Sequence, residues 1–190
     1  TALPSVSFSA PATFASSPTG TAVPAALSVF ASTMYLGVNE APFLLSSDIS
    51  SAVYGQSSGL VQPYVNGFTA GEPVYDVSVA RLSDGTRYAF LARATTTKQF
   101  MVVDVTATDS PVSVGSYSLA NVSSVGSFPQ GFRVSYYGGY VYVTARETTG
   151  PELHVFDVSN PAAIHEVGSG TELNKTAEEF VIAEKHGRRY

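Results

Sequence analysis

The sequence predicts an all-β protein built from repeated four-stranded antiparallel sheets. Short segments rich in Val, Phe, Tyr and Thr alternate with turn signals such as Ser-Asp-Gly, Tyr-Gly-Gly and Ser-Asn-Pro, which is the pattern of strands joined by tight turns. The arrangement recurs along the chain. With 190 residues, of which 44% are hydrophobic, the chain is long and apolar enough to bury one sizeable core.

Two independent pairs of matching positions define the repeat. An apolar run ends in Asp-Val at Asp104 and again at Asp157, and in both places a turn-rich stretch and a Val-Gly-Ser follow. A weaker copy ends at Asp48. Tyr88 and Tyr140 lie in a second pair of similar segments. The members of each pair are separated by about 50 residues, and four antiparallel strands in a repeat of about that length are the signature of a β-propeller blade.

We predict a partial β-propeller over 24–190, with three blades and part of a fourth. The blades span about 24–68, 73–119 and 131–171, with a partial blade at 177–190. The predicted strands cover 26–31, 33–38, 43–49 and 60–64, then 73–82, 87–94, 99–106 and 111–119, then 131–137, 140–146, 152–158 and 164–171. Residues 1–23, dense in Pro, Ser, Ala and Thr, are predicted to be a linker or a donor strand. Because closure normally takes four blades or more, we expect the sequence to be a fragment of a larger propeller.

The segment after Thr176 carries two conflicting signals. Thr176-Ala177-Glu178-Glu179 matches a helix capping box, so local propensity favours a short helix. The register of the repeat instead places 180–183 where the second blade has 77–80. We predict a strand there, as the first strand of the fourth blade.

Two segments also resemble a known family of repeats. VVDV at 102–105 and VFDVSNP at 155–161 are similar to the LVIVD repeat, and PVSVGSY at 111–117 extends the likeness. The resemblance is clearest over 73–170. It implies a β-propeller fold and a secreted or cell-surface protein, and it implies no reaction.

Composition excludes several classes of function and favours an extracellular or cell-surface location. The net charge of −5 argues against a nucleic-acid partner, and the chain has no apolar run long enough to cross a membrane. The absence of cysteine excludes disulfides, thiolate metal sites and Cys nucleophiles. Residues 1–70 contain only two charged side chains, Glu40 and Asp48. Asn121 and Asn174 begin sequons and are candidate glycosylation sites.

The repeated aspartates have a structural and a functional interpretation. A ring of carboxylates could hold a cation, whereas an aspartate at a strand end accepts backbone N–H bonds from the turn that follows it. Because the aspartate recurs once per blade, we favour the structural interpretation. We predict that Asp48, Asp104 and Asp157 stabilise turns. We predict no metal site and no cofactor.

No residue pattern points to a catalytic site. His154, His165 and His186 lack metal-ligand spacing, and their equivalents in the other unit are apolar or turn residues. The GQSSG at 55–59 matches the hydrolase elbow formally, but it lies in a Ser/Gly-rich stretch that no helix follows. We therefore predict that the chain is not an enzyme.

The loops between the second and third strands are the predicted binding surface. They read RATTTK at 93–98 and RETTGP at 146–151. In a propeller these loops share one rim, and loops carry binding residues more often than strands do. The candidate binding residues are Arg93, Thr95, Lys98, Arg146, Glu147 and Thr148. The alternative is that they are ordinary solvated loop residues.

These observations predict a non-catalytic cell-surface module for binding, adhesion or structural display, with a protein or a glycan as partner. Two alternatives remain open. One is an extracellular filament subunit that self-assembles when 1–23 donates a strand to a neighbour. The other is a fragment of a carbohydrate-active enzyme, for which Asp109, Glu147 and Glu152 supply carboxylates, although nothing in their spacing pairs them.

Overall fold

The computed structural model describes residues 24–39, 41, 43–49, 66–69, 71–107, 110–119, 131–146, 150–185 and 188–189. Within these ranges the protein is all-β, and the helical structure is one 3-10 helix at Pro161–Ala163. None of the helical structure described there has the length and apolarity of a membrane span. The predicted fold class is confirmed as all-β.

The strands form three four-stranded antiparallel sheets and one short hairpin. The first sheet contains β1 (Pro24–Phe30), β2 (Thr33–Val38), β3 (Phe43–Asp48) and β4 (Asn66–Thr69). The second contains β5 (Val74–Arg81), β6 (Arg87–Arg93), β7 (Phe100–Asp104) and β8 (Val112–Tyr117). The third contains β9 (Gly131–Tyr137), β10 (Tyr140–Ala145), β11 (Leu153–Asp157) and β12 (His165–Glu166). The hairpin pairs β13 (Glu184–Lys185) with β14 (Arg188–Arg189).

Each sheet is a simple meander in which every strand pairs with the next one along the chain. The turn between β9 and β10 consists of Gly138 and Gly139, with φ of 57° and 87°. Two consecutive residues with positive φ make a hairpin turn whose twist matches that of the strands, and glycine adopts this conformation at little steric cost. In the β5–β6 turn, Asp84 Oδ1 accepts a hydrogen bond from Thr86 N at 2.9 Å. Local turn chemistry therefore accounts for the order of the strands.

The first strands of the three sheets lie side by side, β1 next to β5 and β5 next to β9. A serine joins each neighbouring pair. Ser28 Oγ accepts a hydrogen bond from Val79 N at 3.3 Å, and Ser78 Oγ accepts one from Tyr136 N at 3.1 Å. We call β1, β5 and β9 the inner strands. The second strand of each sheet, β2, β6 or β10, ends at the same end of the molecule. We call this end the loop end.

Two hydrophobic clusters fill the seams between the sheets. The seam between the first and second sheets includes Tyr35, Leu44, Val77, Leu91 and Val103. The seam between the second and third sheets is richer in aromatic residues. There Phe100 lies 4.8 Å from Phe156, and Phe90 stacks on Tyr136 with ring centroids 5.4 Å apart. Such ring pairs add to the stabilisation from buried area, so the second and third sheets share one core.

The predicted strand at 180–183 is wrong, and the alternative helix is also absent. Residues 177–183 form no strand pairing and run beside β9. Arg133 Nε donates to Glu178 O at 2.6 Å, and Tyr137 OH bonds Glu184 Oε2 at 3.0 Å. The register of the repeat correctly predicted that this segment follows the third sheet, because it lies beside β9. Strand pairing begins only at Glu184–Lys185, where the hairpin supplies a neighbouring backbone.

The predicted strand at 60–64 lies outside the described residues, and the described partner of β3 is β4, Asn66–Thr69. One further strand prediction differs from the structure. The predicted strand at 164–171 is reduced to His165–Glu166. Gly168 and Gly170 have φ of 85° and 77°, which is incompatible with extended backbone, so the ladder stops and resumes only as a single bridge between Thr171 and Leu153.

Candidate binding site at the loop end

A β-bulge near the loop end of each inner strand leaves one residue without a partner in the ladder. The register shifts between Pro24 and Ala26 in β1 and between Val74 and Asp76 in β5. In β9 it shifts opposite Thr144 and Ala145, whose partners are Arg133 and Gly131. The unpaired residues are therefore Ala25, Tyr75 and Phe132, which occupy equivalent places in the three sheets. Bulges redirect side chains and are frequent beside functional sites.

The bulges of the second and third sheets bring two aromatic rings together under two arginines. Tyr75 and Phe132 meet edge to face, with centroids 6.1 Å apart. The guanidinium carbon of Arg133 lies 4.3 Å from the centroid of Phe132, and that of Arg146 lies 4.9 Å from it. Arg146 is also 5.6 Å from the centroid of Tyr75. We call these four residues the ring–arginine cluster.

Attraction to the rings and repulsion between the guanidinium groups oppose one another in the cluster. Each cation–π contact of this kind contributes about 0.5–1 kcal/mol where it is partly exposed. The two guanidinium carbons are at most about 9 Å apart, and their repulsion costs about 0.5 kcal/mol in water and about 2 kcal/mol at an effective dielectric constant of 20. The repulsion therefore offsets part of the attraction to the rings, and a bound anion would counteract it.

Asp76 is the nearest described carboxyl group that faces the cluster from β5. Its Oδ1 accepts a hydrogen bond from Val77 N at 2.9 Å, and its Oδ2 accepts one from Val134 N at 2.9 Å. Burial raises the pKa of Asp76 above its usual value, and the two backbone N–H bonds and the charge of Arg133 counteract part of that rise. The bond from Val134 N means that Asp76 links the second sheet to the third. No ion pair within 4.0 Å links it, or any other described carboxylate, to Arg133.

Arg93, predicted as a rim ligand, is a buried support of its own loop. Its side chain is 6% exposed, and its Nη1 donates to Lys98 O at 3.0 Å. Its Nε has no hydrogen-bond partner in the described structure, and burial lowers the pKa of the guanidinium. Arg93 therefore shapes the loop and presents little surface to a ligand.

The rest of the loop at 94–99 is held by hydrogen bonds. Thr95 N donates to Arg93 O at 3.0 Å, and Lys98 N donates to Ser118 Oγ at 2.9 Å. The side chain of Gln99 donates to Thr96 O at 2.9 Å. Lys98 is exposed and Thr95 half-buried. The predicted residues Glu147, Thr148 and Asn121 lie outside the described part of the chain, as do Asp109 and His186.

The comparison with known proteins identifies the third sheet. Residues 132–171 match the family model described as the LVIVD repeat. The chain carries an LVIVD repeat. This match confirms the resemblance seen in the sequence, and it contains Phe132, Arg133 and Arg146 of the cluster. No curated protein matches the chain.

The LVIVD repeat places its aspartate in a turn. Asp157 Oδ1 accepts a hydrogen bond from Ser159 N at 2.8 Å, and Asp104 Oδ1 accepts one from Thr106 N at 2.8 Å in the second sheet. The bond from Ser159 lowers the pKa of Asp157. These are the local bonds expected of an aspartate at a strand end. Asp48 is the last residue of β3 and pairs with Thr33, and its predicted turn role lies outside the described side chains.

The LVIVD repeat also contains a buried histidine–glutamate pair that sequence reasoning missed. His154 is fully buried, with Nδ1 2.7 Å from Glu166 Oε1 and Nε2 2.9 Å from Pro151 O. Both ring nitrogens therefore have a hydrogen-bond partner in the fold. Burial and the charge of Glu166 raise the pKa of Tyr117 across the seam. Register could not reveal this pair, because the equivalent of His154 is Met101.

Glu152 has a structural position in the LVIVD repeat. It is fully buried, and its Oε2 accepts hydrogen bonds from Leu173 N at 2.7 Å and Asn174 N at 3.1 Å. These bonds anchor the turn in which Asn174, the described sequon residue, has a φ of 55°. Among the described residues, no group of three or more His, Cys, Asp and Glu side chains is placed to hold a metal ion.

Proposed function

We propose that the chain is a non-catalytic, cell-surface binding module of the β-propeller type, and that its partner binds at the loop end. The observation that carries the proposal is the ring–arginine cluster. Two equivalent bulges, in β5 and β9, aim Tyr75 and Phe132 at one place, where Arg133 and Arg146 cover them. Aromatic and arginine side chains are the types enriched where proteins bind partners.

The side-by-side inner strands support the propeller arrangement. The serine contact between the first and second sheets is repeated between the second and third, so each sheet is related to the next by the same step. The segment at 177–184 lies beside β9, on the side where a further sheet would follow. A ring of such sheets would gather their loop ends around one axis, which is where propellers present ligand sites.

The proposed location rests on composition, since charged residues are sparse in the first 70 residues. The non-catalytic role is supported by the carboxylate of Glu152, which is turned into the fold and engaged by backbone N–H groups. A partner held by rings and guanidinium groups fits a glycan or a protein surface.

The experiment that tests the proposal compares the two ends of the sheets. Labelled full chain is applied to intact cells of its source and to a glycan array, next to the variant Y75A/F132A. The matched control is R81A/S83A, which removes exposed side chains at the opposite, hairpin end of the second sheet. We expect Y75A/F132A to abolish binding and the control to retain it. Equal binding by both variants would contradict the proposal.

A second candidate is self-assembly, and one observation favours it. Leu27 and Val29 on β1 are 59% and 51% exposed, although their equivalents on β5, Val77 and Val79, are covered by the first sheet. An exposed apolar strand face of this kind is a typical contact surface.

The self-assembly candidate predicts that L27E/V29E lowers the association state of the full chain in analytical ultracentrifugation. The control V112E alters an equally exposed residue on the outer strand β8. Removal of residues 1–23 distinguishes strand donation from face-to-face contact. An unchanged association state after that truncation would count against strand donation.

A further inference from the structure

We infer that the ring–arginine cluster binds an acidic saccharide, with the sugar carboxylate on Arg133 and the sugar ring on Tyr75 and Phe132. The inference rests on the proposed function, because it names the ligand class of the same surface. Three features of the cluster lead to it: unused guanidinium donors, a limited capacity for negative charge, and an inner strand edge that is already occupied.

The first feature is the donor set of Arg133. A guanidinium group carries five N–H donors, and Arg133 uses its Nε on Glu178 O at 2.6 Å. No hydrogen bond from its two terminal nitrogens and no ion pair within 4.0 Å is present in the described part of the chain. The contact with Phe132 and the bond from Nε to Glu178 O hold the group on two sides. A planar guanidinium group that is held in this way and has terminal nitrogens without partners in the described structure is suited to bidentate recognition of a carboxylate.

The second feature is the charge around the cluster. Arg146 adds a second positive charge over the same ring, but the carboxyl group of Asp76 interacts electrostatically both with Arg133 and with the carboxyl group of Glu179. The site therefore accommodates one negative charge better than several. A single carboxylate matches that balance, whereas a phosphate dianion or a polysulfated chain would meet repulsion from Asp76 and Glu179.

The third feature argues against an extended peptide as the ligand. A peptide that adds to a sheet needs free N–H and C=O groups along a strand edge. On the inner edge of β9, Asp76 already takes the N–H of Val134 and Ser78 takes that of Tyr136. What the site offers instead is two half-buried rings, whose exposed parts can contact the apolar C–H groups of a sugar beside the guanidinium groups.

The experiment measures binding of a tetrasaccharide of galacturonic acid to the full chain by isothermal titration calorimetry. The comparison probes are the neutral galactose tetrasaccharide and tetraglutamate. The variants are R133Q and R133K, and the matched control is R81Q, which removes an exposed arginine that lies 6.0 Å over Phe30 at the opposite end. Thermal melts verify that each variant is folded.

We expect R133Q to raise the Kd at least about tenfold, because a charge-assisted bidentate contact is lost. R133K should fall between R133Q and the unmodified chain, since lysine keeps the charge and loses the fork. R81Q should change the Kd less than about twofold. The galactose tetrasaccharide should bind at least about tenfold more weakly than the acidic one.

Three results would overturn the inference. Equal binding of the neutral tetrasaccharide would remove the role of the carboxylate. Equal binding of tetraglutamate with the same dependence on Arg133 would make the ligand a peptide. Binding to cells that requires Tyr75 and Phe132, but is unchanged in R133Q and by excess tetrasaccharide, would refute the inference and leave the proposed function standing. If the unmodified chain bound neither cells nor arrays, the proposed function would fail as well.

Discussion

The serine contact between inner strands allows a sharp test of the seam between the second and third sheets. Ser78 Oγ accepts a hydrogen bond from Tyr136 N at 3.1 Å, and both residues are half-buried. The substitution S78A removes the acceptor and leaves the N–H without a partner in the seam. An unsatisfied buried donor costs about 1–3 kcal/mol, and partial access to water places this one near 1 kcal/mol. We expect S78A to lower the free energy of unfolding by about that amount.

The third sheet supplies the matched control. Ser135 occupies the equivalent place on β9, because Ser78 pairs with Phe90 and Ser135 pairs with Tyr142. Its hydroxyl makes no hydrogen bond within the described structure, so S135A should change the free energy of unfolding by less than about 0.5 kcal/mol. Urea unfolding followed by far-UV circular dichroism measures both, and the m-value should stay constant. Equal losses in S78A and S135A would refute the assignment of the seam.

Three further substitutions test other contacts. A Cβ at Gly115 would lie 2.5 Å from Pro161 O, so G115A should cost about 1–3 kcal/mol by overpacking, and an unchanged melting temperature would contradict this. The pKa of Asp157 is lowered in the folded protein, so its negative charge stabilises the fold above about pH 3.8, and this stabilisation disappears as the pH falls through the pKa of the folded state. The difference in unfolding free energy between the unmodified chain and D157N should therefore shrink in acid. A difference that stays constant with pH would contradict this role of Asp157. H154L should cost about 3–5 kcal/mol because it removes the His154 partner of the buried Glu166 side chain and leaves it only the Tyr117 hydroxyl. H154L/E166L should cost less than the sum of the single changes, and additive losses in the double-mutant cycle would show that the pair does not interact.

The repeat made much of the fold predictable. Strand order and hairpin positions follow from local signals, such as the glycine turn at Gly138–Gly139 and the aspartate turn after Asp157. The segment at 177–183 was harder, because register and capping signals conflict there and neither decides the outcome. Whether a strand forms depends on a neighbouring backbone to pair with. That neighbour begins only with the hairpin at Glu184–Lys185.

The candidate site was predictable only in part. The sequence singled out Arg146 because it lies in a loop, and it singled out Arg93 for the same reason, although Arg93 is buried. Arg133 and Phe132 were overlooked because they belong to a strand. Their position depends on a bulge, which period-two alternation does not reveal because the extra residue interrupts the alternation. The two-residue parallel between Tyr75-Asp76 and Phe132-Arg133 is the sequence signal that was available.

Two sets of equivalent positions on the inner strands differ in how far their residue types recur. The position that joins neighbouring sheets is Ser28 in the first sheet and Ser78 in the second. The equivalent residue of the third sheet, Ser135, is also a serine. Two residues closer to the loop end, the position is occupied by Ala26, Asp76 and Arg133. A side chain that differs at each step cannot serve the repeated seam in the same way. The neutral, negative and positive side chains at that position therefore make the loop end chemically asymmetric, and an asymmetric surface can orient a ligand that carries one charge at one end.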